Sequence, residues 1–172
     1  QANNDADHAG AAYVFVRSGS TWTQQAYLKA SNTEADDRFG YAVAISGDTI
    51  IIGAAFEDSN ATTINGNQSN NGASNAGAAY VYVRNGVTWS QQAYLKASNS
   101  NEGDFFGLSV AVSHDTIAVG ASFEDSNATG VNGDQANNTL GQAGAAYIFV
   151  RNGNSWSQQA YLKASNTGIQ DG

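Results

Sequence analysis

Two long polar loops carry the residues of this sequence that are best suited to bind a cation. The loop that begins at Asp125 reads DSNATGVNGD, with Asp, Asn, Thr and Gly at its positions 1, 3, 5 and 6. This spacing resembles the oxygen ligands of an EF-hand loop, although Ala136 stands where the closing glutamate belongs. The earlier copy, DSNATTINGN, keeps the first three oxygen positions. The sequence therefore predicts calcium as a cofactor, with these candidate ligands: Asp125, Asn127, Thr129, Asn132, Asp134, Asp58, Asn60 and Thr62.

A second interpretation of the same loops stays open, because Asx-rich turns are also common in β-loops that bind nothing. The loops contain four Asn-x-Ser/Thr triplets, which are candidate glycosylation sites in a secreted protein. These acceptors are Asn60, Asn67, Asn127 and Asn137.

No pattern in the sequence points to catalysis. The glycines lack the Gly-Lys-Ser/Thr of a phosphate loop, and His8 and His114 are replaced in the other copies of the repeat described below. Asp36-Asp37 and the Glu102/Asp104 pair contain the two carboxyl groups that a glycosidase needs. Loop acids of this kind more often solvate the surface or cap turns. We therefore expect that the protein is not an enzyme.

The composition excludes several classes of partner. A net charge of −8 and a pI near 4.3 argue against nucleic acid and against an anionic membrane surface, whereas divalent cations are compatible with it. The absence of cysteine excludes disulfides and thiolate metal sites. No apolar run approaches the roughly 18 residues of a membrane-spanning helix.

An internal repeat organises the whole chain. Trp22, Trp89 and Trp156 recur at intervals of 67 residues, and QQAYLKASN follows each of them closely. Such self-similarity is typical of units that bury their cores against neighbours. The repeat predicts three parts of one domain: residues 1–37, 38–104 and 105–172. The first part is the outer half of a unit, and each of the others is a full unit.

Each unit contains four short apolar segments without helical periodicity or proline. The segment AAYVFVR suits a strand that is buried on both faces. Asn85-Gly86 and Asn152-Gly153 follow the later copies of this segment and predict tight hairpins, whose Asn-Gly turn has positive φ at both positions. Four antiparallel strands in tandem repetition favour an all-β fold of β-propeller blades, about two and a half of them. A β-solenoid is the competing layout.

The stretches FGYAVAISGDTIIIGA and FGLSVAVSHDTIAVGA resemble the FG-GAP repeat, the blade unit of integrin α-chain propellers and of bacterial secreted and surface proteins. The resemblance covers the whole chain, although Ala55 and Ser122 replace the proline of the family motif. It implies that the FG strand lies innermost in each blade. The calcium loop of integrin blades cannot be carried over, since SGDT and SHDT leave no room for it.

The resemblance also implies structural roles for the repeated residues. The FG pairs begin the inner strands, and the tryptophans are expected to pack between blades rather than to form an exposed ligand platform. These residues are Phe39, Gly40, Phe106, Gly107, Trp22, Trp89 and Trp156.

These features together favour a non-catalytic extracellular or cell-surface module for adhesion, protein interaction or surface assembly. One alternative is a propeller that binds or cleaves glycans with its loop carboxylates, and another is a purely structural, self-assembling repeat. Two and a half blades leave strand edges and apolar faces uncovered. We therefore expect that the chain is a segment of a longer polypeptide or associates with copies of itself.

Overall fold

The structure is a computed structural model that describes residues 5–172. These residues form ten β-strands and no helix. The strands are β1 (Ala12–Ser18), β2 (Thr21–Leu28), β3 (Ala42–Ser46), β4 (Thr49–Ala54), β5 (Ala78–Asn85), β6 (Thr88–Leu95), β7 (Ser109–Ser113), β8 (Thr116–Ala121), β9 (Ala145–Asn152) and β10 (Ser155–Leu162).

The strands form three antiparallel sheets in chain order. β1 pairs with β2, β3 to β6 form a four-stranded meander, and β7 to β10 form a second one with the same register. The predicted all-β fold with four antiparallel strands per blade is confirmed. We call the sheet of β1 and β2 the first blade, and the two meanders the second and third blades.

The outer hairpins differ from the sequence prediction in the position of the turn. Asn85 still pairs with Thr88, so the turn residues are Gly86 and Val87. Only Gly86 has a positive φ, which is the pattern of a type II′ turn with glycine at its first central position. The Asn-Gly pair therefore marks the hairpin correctly, but the asparagine belongs to the strand.

The second blade buries both of its faces. Ile51 of β4 belongs to the core cluster shared with the third blade, whereas Ile50 and Ile52 belong to the cluster shared with the first blade. Because alternate residues of a strand point to opposite faces, a strand between two neighbours needs apolar residues at nearly every position. This explains why β4 reads TIIIGA.

The first blade does not bury both faces. Tyr13 and Phe15 of β1 are about half exposed (52% and 51%), whereas their counterparts Tyr80 and Tyr82 of β5 are buried. Within the described residues, β1 pairs with β2 along one edge and with no strand along its other edge. The sequence prediction of a strand buried on both faces therefore holds for β5 and is wrong for β1.

Glycines set the distance between neighbouring blades. A Cβ atom on Gly77 would lie 2.1 Å from the carbonyl oxygen of Phe106, and one on Gly107 would lie 2.4 Å from the carbonyl oxygen of Ala78. Gly77 also has a φ of 80°, in the left-handed region. The FG segment of the third blade therefore runs directly against the backbone of the second blade, at a distance that no side chain permits.

The long loops close the outer edges of the two complete blades. The backbone NH of Asn65 donates to the carbonyl of Tyr94, and the backbone NH of Tyr94 donates to the side-chain oxygen of Asn65. Asn132 and Tyr161 make the same pair of bonds in the third blade. Each loop thus provides hydrogen bonds to the outermost strand, which covers an edge that would otherwise be open.

We predict that Gly77→Ala destabilises the protein far more than Gly86→Ala. Both residues have positive φ, which costs an alanine about 1–2 kcal/mol. Only at Gly77 does the new methyl group also collide with backbone, which adds about 1–3 kcal/mol. Urea denaturation of the two variants measures the difference. Equal losses of free energy of unfolding would contradict the inter-blade contact.

Candidate functional site

A buried ion pair lies between the inner and outer halves of the second blade. The Nζ atom of Lys96, at the end of β6, is 3.1 Å from the Oε2 atom of Glu57, which follows β4. Both side chains are almost fully buried. The ammonium group also donates to the carbonyls of Ser59 and Gly77. Burial lowers the pKa of Lys96, and the carboxylate of Glu57 opposes this shift.

The second oxygen of Glu57 connects this ion pair to the first blade. Glu57 Oε1 accepts hydrogen bonds from the hydroxyl group of Tyr94 and from the side-chain amide of Asn32. The oxygen of Asn32 in turn accepts from the hydroxyl group of Tyr80. Burial raises the pKa of both tyrosines, so they act as neutral donors. We call Asn32, Glu57, Tyr80, Tyr94 and Lys96 the polar cluster of the second blade.

The third blade repeats the ion pair and the asparagine link of this cluster, but not all of its hydrogen bonds. Lys163 Nζ lies 2.8 Å from Glu124 Oε2, and Asn99 connects Glu124 to Tyr147. The hydroxyl group of Tyr161, however, is buried without a hydrogen-bond partner. The same arrangement occurs twice, and each buried lysine has a glutamate partner. These clusters are therefore suited to hold the blade together rather than to act on an external substrate.

Two further carboxyl groups are buried in the segments that connect the blades. Asp37 and Asp104 are 4% and 2% exposed, and each accepts a hydrogen bond from a backbone NH three residues earlier. Burial raises the pKa of each to about 7. Glu57, Glu34 and Asp58 raise the pKa of Asp37 further.

These acids do not have the arrangement of a glycosidase pair. A pair of that kind faces a cleft that admits a sugar, whereas Asp37 and Asp104 are enclosed and bonded to their own loops. Asp36 is exposed and contacts His8 at 3.1 Å. Glu102 is also exposed. In each of the two sequence pairs, one acid is therefore buried and the other lies on the surface.

The candidate calcium ligands are used inside their own loops. Asp58 and Asp125 accept hydrogen bonds from the backbone NH groups of Asn75 and Gln142. Asp134 accepts from the NH of the alanine two residues later. The side-chain oxygen of Asn132 accepts a hydrogen bond from the backbone NH of Tyr161. The remaining candidates, Asn60, Asn127, Thr62 and Thr129, lie on the exposed surface of the loops.

No group of three or more His, Asp or Glu side chains within residues 5–172 lies close enough together to hold a metal ion. The calcium site stays a prediction, which the geometry of the described loops does not strengthen.

The candidate glycosylation sites lie on the same loops. Asn60, Asn67 and Asn127 are exposed, whereas Asn137 is half-buried and its side-chain oxygen accepts a hydrogen bond from the backbone NH of Asn127. Glycosylation therefore stays a prediction.

The three tryptophans occupy equivalent positions on the outer strands but have different neighbours. The indole NH of Trp89 donates to Gln25 of the first blade, and that of Trp156 donates to Gln92 of the second blade. Trp156 is 7% exposed, whereas Trp22, which has no blade before it among the described residues, is 63% exposed. The tryptophan at this position thus contacts the preceding blade wherever such a blade is present.

An open groove lies at the exposed end of the molecule. It runs between the free edge of β1 and strand β3, and no carboxylate lines it. Its exposed apolar side chains are Tyr13, Phe15, Trp22, Val43 and Ile45. We call it the β1 groove.

Sequence reasoning missed the polar clusters, although a signal was present. The lysine of YLKAS and the glutamate of FED both recur at the 67-residue interval, as Lys96 with Lys163 and Glu57 with Glu124. A charged residue that is repeated inside an apolar strand pattern needs a partner, so these two positions could have been paired.

Comparison with known families agrees with the repeated four-stranded blades of the structure. A family model described as the FG-GAP repeat matches residues 22–82 and again residues 89–149. The two matches begin on equivalent tryptophans and together cover more than half of the chain. A search of curated proteins found no match to the chain. Residues 5–172 contain no helix that could cross a membrane.

We predict that Lys96→Met lowers the free energy of unfolding by about 3–5 kcal/mol, because it leaves the Glu57 carboxylate buried without its cation. Lys29→Met is the matched control. Lys29 occupies the equivalent position in the first blade but is only half-buried, and it donates to the carbonyl of Gly10. We expect the control to cost about 1 kcal/mol. Chemical denaturation tests both variants. Similar losses of free energy of unfolding would contradict a stabilising role of the buried Lys96–Glu57 pair.

We further predict that the protein loses stability as the pH rises from about 4 to about 7. The pKa of Asp104 is raised from 3.8 to about 7 on folding, so in this range the folded state holds a proton that the unfolded state has released. Asp104→Asn keeps the acceptor oxygen and removes the charge. We expect this variant to reduce the decline, part of which remains because the pKa of Asp37 is raised in the same way, and to be more stable than the parent above pH 7.

The control for this experiment is Glu102→Gln, which removes an exposed carboxylate from the same loop. Melting temperatures measured from pH 4 to pH 8 compare the three proteins. A parent protein with a flat profile, or a control that flattens the profile as strongly as Asp104→Asn, would contradict the assignment.

Proposed function

Because the chain belongs to the FG-GAP repeat family, we propose that it is a non-catalytic β-propeller module that acts through protein–protein contacts outside the cell or on a cell surface. Surface assembly or adhesion is the role of such a module. The observation that carries this proposal is the repeated contact between blades, in which aromatic residues such as Tyr80 and Trp156 are buried against a neighbouring blade.

Comparison of equivalent residues in the three blades supports the proposal that the exposed face of the first blade binds another blade. Trp22 is 63% exposed, whereas Trp156 is buried against the second blade. Tyr13 and Phe15 are exposed, whereas their counterparts in the complete blades are buried. Exposed apolar surface of this extent, with aromatic residues at its centre, is typical of an interaction site.

The opposite end of the chain has the complementary surface. Val81 and Leu95 of the second blade belong to the core cluster that contains the aromatic residues of the third blade. Their equivalents in the third blade, Ile148 and Leu162, are only partly buried. A further blade, from a longer chain or from a second copy of this one, can therefore pack against the exposed face of the first blade and repeat the internal contact. Such a head-to-tail contact produces a ring or a filament.

The family match supports an extracellular location, since FG-GAP repeats are typical of extracellular and surface proteins. The non-catalytic role is supported by the polar groups, which are paired inside the blades or bonded within the loops. A glycan site would combine exposed aromatic residues with carboxylates, and the β1 groove has no carboxylate in its lining. No observation among the described residues favours glycan cleavage.

We predict concentration-dependent association that Trp22→Asp weakens by at least about tenfold, because an aromatic residue at the centre of an interface is typically worth more than 1.4 kcal/mol. Sedimentation velocity over a range of concentrations measures the association. Trp22 is exposed, so the variant is expected to keep its fold, which circular dichroism checks.

Val87→Asp is the control, because Val87 is an apolar residue of the β5–β6 turn that is 73% exposed and does not line the β1 groove. It is expected to associate like the parent. A parent protein that remains monomeric at every concentration would overturn the proposed mode of contact.

A further inference from the structure

The polar cluster of the second blade brings together the groups that a condensation between two side chains requires. Lys96 carries a primary amine, Asn32 carries a carboxamide, and Glu57 touches both of them. The Oε2 atom of Glu57 lies 3.1 Å from the Nζ atom of Lys96, and its Oε1 atom lies 3.1 Å from the Nδ2 atom of Asn32. The two oxygens of one carboxylate therefore hold the amine and the amide.

Glu57 is placed to move protons between these two nitrogen atoms. A lysine can attack a carbonyl carbon only after its ammonium group loses a proton. Burial of Lys96 favours the neutral form and lowers the pKa of the ammonium group. The carboxylate in contact with Nζ is the acceptor for that proton, and its other oxygen lies beside the amide nitrogen of Asn32. Glu57 thus has the position of a general base and then of a general acid.

The carbonyl oxygen of the amide has a hydrogen-bond donor of its own. The hydroxyl oxygen of Tyr80 lies 2.6 Å from the Oδ1 atom of Asn32. Negative charge develops on a carbonyl oxygen when an amine adds to its carbon, and a fixed donor at that oxygen stabilises the charge. Burial raises the pKa of Tyr80, so the hydroxyl group keeps its proton. Tyr80 therefore has the position of an oxyanion donor.

The reacting groups are shielded from bulk water. The side chain of Lys96 is fully buried, and that of Glu57 is 2% exposed. Exclusion of water strengthens the electrostatic effect of Glu57 and Tyr80 on the groups that they touch. Asn32 is half-buried in the connection between the first and second blades, so a small leaving group has a short way to solvent.

The third blade brings the same four groups into contact. The Oε2 atom of Glu124 lies 2.8 Å from the Nζ atom of Lys163, and its Oε1 atom lies 2.8 Å from the Nδ2 atom of Asn99. The hydroxyl oxygen of Tyr147 lies 2.6 Å from the Oδ1 atom of Asn99. Each of these four residues stands 67 positions after its counterpart in the second blade. We therefore expect the same chemistry in both blades.

We propose that the chain forms two intramolecular amide bonds between side chains, one from Lys96 to Asn32 and one from Lys163 to Asn99. The lone pair of the lysine Nζ atom adds to the Cγ atom of the asparagine, and the bond from Cγ to Nδ2 breaks. The lysine nitrogen keeps one of its three protons. The other two pass by way of the glutamate to the leaving NH₂ group, which departs as an ammonium ion. The step needs no oxidant, reductant or further reactant.

The first bond joins the segment that follows the first blade to the end of the outer strand of the second blade, and the second bond does the same one blade later. Neighbouring blades then stay connected after their noncovalent contacts are lost. The inference goes beyond the proposed function, because the step is a single reaction of the chain with itself. It uses no external substrate and is compatible with a module that acts through protein–protein contacts.

Tryptic digestion of the full chain, followed by tandem mass spectrometry, tests the proposal. We expect two branched peptides, one that joins Asn32 to Lys96 and one that joins Asn99 to Lys163. Each bond should be accompanied by the loss of one ammonia molecule from the intact mass. Trypsin does not cleave after a lysine whose amine is acylated, so each branched peptide should also contain an uncleaved lysine.

Variants of the second blade identify the groups that form its bond. Lys96→Met and Glu57→Gln should lack the branched peptide of the second blade and should retain one more ammonia molecule than the parent. The bond of the third blade should still form in both variants and reports that they fold. Lys29→Met is the matched control, because it removes the equivalent lysine of the first blade, which donates to the carbonyl of Gly10. Both bonds should form in this control.

Tyr80→Phe tests the oxyanion donor through the rate of bond formation. The variant keeps the ring that packs on Phe39 and removes the hydroxyl group that contacts Asn32. We expect the bond of the second blade to form at least about 100-fold more slowly, which is the typical effect of losing one oxyanion donor, while the bond of the third blade keeps its rate. Samples taken over time from cell-free synthesis measure both rates in one chain.

A parent chain that yields only linear peptides would overturn the proposal. Cyclisation of an asparagine also releases ammonia but needs no lysine, so a loss of ammonia that persists unchanged in Lys96→Met would contradict the bond as well. A branched peptide that forms equally in Glu57→Gln would overturn the role of the glutamate. Equal rates in Tyr80→Phe and in the parent would exclude Tyr80 as the oxyanion donor.

Discussion

Each blade can bury its two apolar faces only against other blades, and the backbone contacts at the glycines determine how closely the blades approach. Gly77 and Gly107 lie directly against carbonyl groups of the neighbouring blade. This close approach of the backbones places Phe106 against the ring of Tyr147 in β9 and brings β7 against β3 and β4. A larger residue at either position would separate the second and third blades and would expose the core cluster that they share.

The buried lysine–glutamate pairs give this arrangement its specificity. Taking two charges out of water is costly, so a buried pair adds little net stability compared with apolar residues of the same size. It does penalise any arrangement that separates the partners. Glu57 follows the inner hairpin, Lys96 ends the outer one, and Asn32 belongs to the connection from the previous blade. The cluster therefore selects one register between the two hairpins of a blade and one position for the neighbouring blade.

Much of the fold could be predicted because the repeat presents the same local pattern several times. Alternating apolar residues, glycine turns and the 67-residue interval locate all ten strands to within a few residues. The loops are a different case. An EF-hand-like spacing of oxygens at Asp125, Asn127 and Thr129 is equally compatible with a loop that bonds to itself, and side-chain spacing does not reveal which NH group an oxygen accepts from. The bond from Gln142 to Asp125 spans 17 residues and depends on the folded path of the loop.

The sequence by itself determined the strands, their order and the blade as the repeating unit, because these depend on local periodicity and on a contact pattern that each copy repeats. Only the tertiary structure decided which copies of a residue are buried. Trp22, Trp89 and Trp156 are the same residue in the same local sequence, yet their exposure falls from the first to the last. The physical reason is that burial depends on what lies across the interface, and the described chain provides a preceding blade for the second and third copies but not for the first.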